Sequence, residues 1–438
     1  MAVLLGAALL AAMAGCEGGR AAAPMGLLVI TLDTTRADRL PAYGYQNAAT
    51  PAIDRLARDG IRFDRAVSVA PLTLTAHTSL FTGLYPPHHG VRDNSDAPLA
   101  PAQASTLAEA FHARGFQTAA FVGSMVLAAD RGLSRGFDVY DDGRDAGATP
   151  PRRRPGSVVI DRADAWIDRL AGRPFFLWVH LYDVHAPQTP AAPGTPRTGD
   201  AYEDAITYVD AQLGRLFETL DRDQRFATTA IILAGDHGES LGEHGEREHG
   251  IFLYEGPLHI PLIIRVPGLR GAGRRVSGVA SLVDVAPTVR ELFRLPAART
   301  GGVSLIPALA GVALPGRVVY AESLYARRFG WSPLRMVRDE RYKYIDAPRR
   351  ELYDLDEDPL EMRDVSTDRP GVVAAMRAKL QAFADPAPDQ PGSDSSVNAR
   401  ALAALGYIAR APAAPLVVPL DPKDHIQEYN AIRVGDWR

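Results

Sequence analysis

The sequence predicts an α/β fold, with a mostly parallel central sheet flanked by helices and a smaller C-terminal antiparallel subdomain. Two features carry this expectation. Short, almost wholly apolar runs alternate with amphipathic helical patterns, as βαβ units require when strands are buried on both faces. From about Arg317 the texture changes to short strands with no helices between them.

The first apolar run is residues 26–32 (GLLVITL). A helix then starts at Thr50-Pro51, with Thr as cap, Pro in the first turn, Ile53, Leu56 and Ala57 on one face, and Gly60 as stop. Ala70-Pro71-Leu72-Thr73 leads into a short helical run, 76–81, ended by Gly83. Further strands are expected at 118–122, 175–181, 229–234 and 262–266, and helices at 106–113, 158–170, 203–220 and 283–293. In the C-terminal part, strands are expected at 318–322, 334–338 and 343–346, then a helix at 371–383. Residues 385–396, rich in Pro, Asp, Gly and Ser, read as a linker. The tail has one weak helical piece at 401–405. The organisation is therefore a signal segment (1–16), a main α/β domain (25–315), an α+β subdomain (316–385), and a linker and tail (386–438).

Composition narrows the class. The chain has 438 residues, 46% hydrophobic and 23% charged, which excludes a disordered, collagenous or coiled-coil protein. A net charge of −4 gives no basic footprint, so nucleic acid is not an expected partner. The single cysteine excludes an intramolecular disulfide and a Cys-based zinc site. That residue, Cys16, follows an apolar run (residues 3–13) too short to span a bilayer and ending in small residues, the pattern of an export signal.

The chemistry gathers at strand ends, where open α/β sheets bind ligands. Residues 26–32 end in Asp33, the 175–181 run leads into Asp183 and His185, and 229–234 runs into Gly235-Asp236-His237-Gly238. Carboxylates and imidazoles are costly there unless paired or metal-bound. Thr73, just ahead of a helix start, faces unpaired N–H groups and the positive end of the dipole, a place suited to an anionic ester and to a nucleophilic hydroxyl.

Together these stretches resemble the sulfatase branch of the alkaline phosphatase superfamily. The matching segments are DTTRADRL (33–40), TPAIDRLA (50–57), TLTAHTSLFTGLYPPHHG (73–90), HLYDVHAP (180–187) and GDHGESLGEHGEREHG (235–250). RYKY (341–344) and ELYDL (351–355) are similar to the family's C-terminal subdomain. Leu10-Ala11-Ala12-Met13-Ala14-Gly15-Cys16 resembles a bacterial lipoprotein signal, which implies an exported protein, periplasmic or at the cell surface, anchored to the membrane through a lipidated Cys16. Asp421-Pro422-Lys423-Asp424 resembles a linker that, in some bacterial relatives, leads into helical repeats.

One departure decides the expected chemistry. The sulfatase signature C/S-x-P-x-R ends in T-G, and its Cys or Ser becomes formylglycine. Aligning Thr82-Gly83 puts Thr73 at that position, Thr75 at the Pro and His77 at the Arg. Thr cannot become formylglycine; Thr here resembles the phosphoethanolamine transferases and nucleotide pyrophosphatases of the same superfamily.

The resemblance implies that Asp33, Asp236 and His237, with Thr73 Oγ1, hold a divalent metal, Zn²⁺ or Mn²⁺ favoured over Ca²⁺ or Mg²⁺. It implies Thr73 as nucleophile, with His185 and His249 contacting substrate oxygens and protonating the leaving group. His185 and His249 could instead complete a second metal site with Asp183. His77 is expected to point into the pocket as a hydrogen-bond donor, and His180 fits either a core or a catalytic role. His88 and His89 read as structural, Arg36–Asp38 as a buried pair, and Glu239, Glu243, His244 and Glu246 as a solvated loop. Lys343 fits either the pocket wall or a surface strand. The expected substrate is a phosphate mono- or diester of a small molecule, lipid or glycan. A sulfate ester, or an inactive module binding the cell envelope, are the alternatives.

Overall fold

The computed structural model describes residues 24–95, 97–144, 153–185, 198–383 and 420–435. Cys16, the linker at 385–396 and the helical piece at 401–405 lie outside them.

A nine-stranded sheet organises the main domain. Its centre is β1 (Gly26–Leu32), paired in parallel with β5 (Phe175–Leu181) on one side and β6 (Thr229–Gly235) on the other. Every residue of these three strands is buried, which is why each reads as an unbroken apolar run. Beyond β5 lie β3 (Gln117–Val122) and the three-residue β4 (Val139–Asp141), both parallel.

Beyond β6 lies β8 (Leu262–Arg265), the strand expected at 262–266, and with it strands that the apolar-run criterion passes over. The two-residue β7 (His259–Ile260), separated from β8 by Pro261, and β8 itself run antiparallel to β2 (Ile61–Val67), and β8 also pairs antiparallel with β6. A further strand, β9 (Arg275–Ser281), pairs in parallel with the other edge of β2. Both β2 and β9 carry half-exposed or exposed polar residues, because they lie towards the sheet's margin, and so escape a search for apolar runs.

Side-chain parity splits the core. Leu28, Ile30 and Leu32 of β1 pack into one layer with helices Pro51–Asp59, Gly156–Ile167 and Ala201–Arg222. Leu27 and Val29 face the other, with helices Thr73–Thr82, Leu107–His112 and Val285–Leu292. Helix Pro51–Asp59 corrects one expectation: Thr50 does not cap it with its side chain. Instead the Ala52 and Ile53 N–H groups donate to the Asp210 carboxylate, at 3.1 and 2.8 Å, from the long helix packed beside it. Burial pushes Asp210 up to about 7.

The small sheet is an antiparallel meander of β10 (Val319–Ser323), β11 (Leu334–Arg338), β12 (Tyr342–Asp346) and β13 (Glu351–Asp354), covered by helix Pro370–Gln381. It is joined to the main sheet's active edge by a backbone hydrogen bond from Glu322 N to Val69 O. Lys343, which could have lined the pocket, is instead fully buried between Glu361 (2.8 Å) and Glu255 (3.2 Å), and Arg338 also reaches Glu255 at 2.8 Å. Among the described residues, no helix is long and apolar enough to cross a membrane.

This ion cluster should behave as a structural joint. Lys343→Met is expected to lower unfolding free energy by about 3 kcal/mol or more, because the Glu361 carboxylate loses its buried counter-charge. Urea unfolding followed by tryptophan fluorescence measures it, and a loss below about 1 kcal/mol would contradict the assignment.

Candidate active site

Four chain segments converge at the carboxyl edge of the main sheet. β1 delivers Asp33, β6 delivers Asp236 and His237, and β5 delivers Asp183 and His185. The fourth comes from β2, whose carboxyl end leads through Ser68–Leu72 to Thr73, the first residue of helix Thr73–Thr82. The helix thus starts three residues before its expected position, and Thr73 is inside its first turn.

Asp33, Asp236 and His237 are completely buried, with one ligand atom from each within 4.8 Å of the others. Among the described residues this is the one group of three His, Cys or carboxylate side chains so placed. Thr73 Oγ1 lies 3.4 Å from Asp33 Oδ2 and 3.3 Å from His237 Nε2. His237 Nδ1 donates to its neighbour's carbonyl, Gly238 O, at 2.9 Å, so the lone pair is on Nε2 and faces the hydroxyl. Asp236 Oδ1 accepts from the N–H groups of His237 (2.8 Å) and Thr34 (3.2 Å).

These residues fit a divalent cation. Asp33 Oδ1 and Asp236 Oδ2 are buried oxygens without a hydrogen-bond partner, which is expensive unless something positive sits between them. Burial and the charge of Glu239 hold Asp33 well above the usual carboxylate range; burial and Asp33 do the same to Asp236. His237 is driven well below its ordinary value by burial and by His249. A site that resists both its own anions and a proton on its imidazole is a set of lone pairs suited to a metal.

Thr34, between β1 and Arg36, adopts φ +50°, an uncommon conformation for a β-branched residue. Its carbonyl accepts from Tyr202 OH at 2.6 Å and its N–H is held by Asp236. Its hydroxyl is buried without a hydrogen-bond partner. Gly238 answers a different constraint: a Cβ there would lie 2.1 Å from Gly256 O.

The histidines divide into two groups. The His237 and His249 ring centroids are 4.5 Å apart, and those of His249 and His185 are 5.0 Å apart, so His185 and His249 extend the cluster outward from Thr73. His249 Nδ1 donates to Glu239 Oε1 at 2.9 Å, which fixes the plane of its ring. His77 lies behind the nucleophile, contrary to the expectation of a donor in the pocket. Its Nδ1 donates to Thr73 O (2.7 Å) and its Nε2 meets Thr31 Oγ1 (2.9 Å), so both nitrogens are engaged by the protein.

Thr31 is the hub of this buried array. Burial, then His180, holds His77 well below its ordinary value, so it is neutral and its Nε2 accepts the Thr31 hydroxyl proton. Thr31 in turn accepts from Trp178 Nε1 (2.9 Å) and His180 Nδ1 (3.1 Å). His180, pushed down to about 3 by burial, then presents a bare Nε2 to Asp33 Oδ2 at 3.3 Å. Two acceptors at that distance again call for a cation between or beside them.

Several other residues are placed differently from their sequence reading. Glu239 and Glu246 are buried, not solvated. Glu246 accepts from Ile251 N (2.9 Å), Phe252 N (3.2 Å) and Ser240 Oγ (3.1 Å), and so ties the ends of the loop together. Arg36 is buried and bidentate to Asp38 at 2.8 Å, but Asp38 is half-exposed, and Arg36 also bonds Glu239 O and Glu243. Asp183 Oδ1 accepts from Gly156 N at 3.0 Å, at the start of helix Gly156–Ile167. His89 is enclosed between Ser79 and Val91, as a structural residue should be.

Sequence reading missed Asn94. Its Oδ1 accepts the Leu74 N–H at 2.9 Å, and its buried Nδ2 has no hydrogen-bond partner. It therefore holds a donor beside the helix start that carries Thr73. A single polar residue in a loop 21 positions away gives no local signal of that placement.

Comparison with known proteins adds independent findings. Residues 26–295 match the Sulfatase family, and residues 242–385 match the family described as N-sulphoglucosamine sulphohydrolase, C-terminal. Choline-sulfatase of Rhizobium meliloti is 34% identical over 195 residues, covering 43% of this chain and 36% of the relative, so the match spans about a third of that protein. A Delta 4,5-hexuronate-2-O-sulfatase of Bacteroides thetaiotaomicron is 24% identical over 405 residues, covering 78% of this chain and 84% of the relative. Among solved structures, the phosphonate monoester hydrolase of Agrobacterium radiobacter superposes with a TM-score of 0.68 at 24% identity, covering 82% and 95% of the two chains; that likeness speaks to fold.

The buried loop carboxylate gives a pH test. Burial pushes Glu246 from 4.5 up to about 8, so the folded state holds its proton more tightly than the unfolded chain does. The stability it contributes is complete below about pH 4.5 and is lost as the pH rises through about 8. Glu246→Gln should therefore show a shallower fall of urea midpoint between about pH 5 and about pH 8 than wild type, both measured with chelator present. Parallel slopes would show that Glu246 is not protonated in the fold.

Proposed function

The chain belongs to the sulfatase family, whose members are metal-dependent, and from that premise we propose that it is a metal-dependent ester hydrolase using Thr73 as nucleophile on phosphate mono- or diesters. The observation that carries the reading is the Thr73 hydroxyl set between Asp33 and His237 at the start of a helix. Asp33, Asp236 and His237, with Thr73 Oγ1, would hold the metal, and one imidazole with two carboxylates suits Zn²⁺ or Mn²⁺ better than Ca²⁺ or Mg²⁺. When bound, the metal supplies Lewis-acid stabilisation of negative charge on oxygen.

Thr73 Oγ1 gives its proton to Asp33 Oδ2, the acceptor it faces at 3.4 Å, and attacks phosphorus in line with the leaving oxygen; the O–P bond to Thr73 forms as the bond to the alcohol breaks, and the proton returns to Thr73 Oγ1 when water releases the phosphate. Asn94 Nδ2 is a preorganised donor for a non-bridging oxygen. His249, oriented by Glu239, passes a proton from Nε2 to the departing alkoxide and recovers one from the water that releases phosphate. His185, beside it, contacts the same oxygens. His77 serves by locking the Thr73 backbone. Attack by an acceptor alcohol in place of water would make the same residues a transferase.

Sulfate esters are the second reading, favoured by the sulfatase names of the curated relatives. Thr73 cannot supply the formylglycine that the family signature yields, which is why phosphorus is preferred. We also propose export and anchorage to a bacterial membrane through lipidated Cys16, supported by the small-residue stretch before it.

Single-turnover mass spectrometry should give a metal-dependent adduct on Thr73, phosphoryl from an aryl phosphate and substituted phosphoryl from a phosphodiester, and none from an aryl sulfate. Thr73→Ala should lower kcat by at least about 10³. Equal turnover by the variant would remove Thr73 from the chemistry, and an adduct from the sulfate alone would select the second reading. Labelling with a radioactive fatty acid should mark the wild type and not Cys16→Ser; label in both, or in neither, would refute the anchor.

A further inference from the structure

The two matched family regions end at residue 385, yet a later helix, Pro422–Gly435, is seated on the loop that carries His249. Its entry is fastened to the small subdomain. Ser332 N donates to Leu420 O (2.8 Å), Arg349 N to Asp421 Oδ2 (2.9 Å), and Lys423 Nζ to Arg349 O (2.6 Å) and Glu351 Oε2 (3.1 Å). The His425 ring stacks on Trp331.

One turn later the buried residues Ile426, Tyr429 and Asn430 share a face and meet the loop. Tyr429 is fully buried against the rings of Tyr325 and Phe329, and its hydroxyl donates to His249 O at 2.8 Å. Asn430 binds in both directions: Nδ2 donates to Gly245 O (2.7 Å) and Oδ1 accepts from Arg247 N (3.3 Å). The stretch so held lies between Gly245 and Gly250, both at positive φ (+88° and +118°), where glycine leaves the backbone many alternatives. His249 is therefore gripped at two points, its ring by Glu239 and its carbonyl by Tyr429.

We propose that Tyr429 and Asn430 are positioning residues that hold the 245–249 backbone so that His249 Nε2 meets the leaving group. This rests on the reading of His249 as proton donor. The helix beyond the matched regions is then a working part of the active site, because it removes conformational freedom from a histidine that must be aimed within a fraction of an ångström.

A double-mutant cycle tests it. Tyr429→Phe keeps the ring in its aromatic setting and removes the hydroxyl. With an alkyl phosphodiester, whose leaving alkoxide needs a proton, kcat is expected to fall roughly two- to tenfold with KM unchanged. With a 4-nitrophenyl diester, whose leaving group needs none, kcat should change less than about twofold. In the His249→Gln background the Tyr429→Phe effect should vanish, because the hydroxyl acts through that histidine. Equal loss on both substrates, or a loss that persists without His249, would overturn the proposal while leaving the role of His249 intact. A His249→Gln enzyme that treats both substrates as wild type does would overturn the reading and the proposal together. Asn430→Ala supplies the same comparison should Tyr429→Phe fail to fold, with the same outcomes decisive.

Discussion

Asp33 and Asp236 stand side by side in the fully buried middle of the molecule, and much of the surrounding architecture can be understood as the means of keeping them there. Two carboxylates out of water cost more than their neighbours' hydrogen bonds return, and the charge of Asp33 adds to the resistance of Asp236 to ionisation. The fold answers with donors from the backbone: Thr34 and His237 both present N–H groups to Asp236 Oδ1. Thr34 does so in an uncommon conformation, φ +50°, and its carbonyl is held by Tyr202, which is rooted in the 22-residue helix Ala201–Arg222. A helix that resembles routine core packing is thus one of the supports of the site.

The second layer of support is polar and almost dry. Trp178, Thr31, His77 and His180 form one array in which each hydrogen has a single place to go, and its ends are the Thr73 carbonyl and Asp33. Such an array fixes the directions of lone pairs, the His180 Nε2 that faces Asp33 among them, as firmly as packing fixes methyl groups. The histidine that stands in place of the signature arginine, one helical turn after the nucleophile, is a member of this array: its ring is fully enclosed, with both nitrogens engaged.

What could be read from sequence was what local composition encodes. Strands β1, β5 and β6 are buried on both faces, so their apolar runs and the acidic or imidazole residues ending them were visible at once. Strand β2 was not, because Arg62, Asp64 and Arg65 interrupt its pattern at the less covered part of the sheet, although it is the strand that brings Thr73 to the others. The Asp210 cap on a helix 157 residues earlier has no sequence signature, since it depends on two helices lying together. The burial of Glu239 and Glu246 was hidden for a related reason. Acidic residues in a Gly-rich loop look solvated until the backbone donors of Ile251 and Phe252, and the ring of His249, close around them.

The order of strands has a consequence for how the chain comes into being. Strand β1 is made early, yet its two partners follow far behind: Thr31 and His180 are separated by 149 positions, Thr34 and Asp236 by 202. Throughout that interval a strand that is wholly buried in the finished fold has both hydrogen-bonding edges unmatched. Long-range pairing of this kind is slow, and an unpaired apolar strand is a template for association with other chains. Such a protein depends, during its synthesis, on whatever keeps its first strand apart from its neighbours' until the middle of the sequence has arrived.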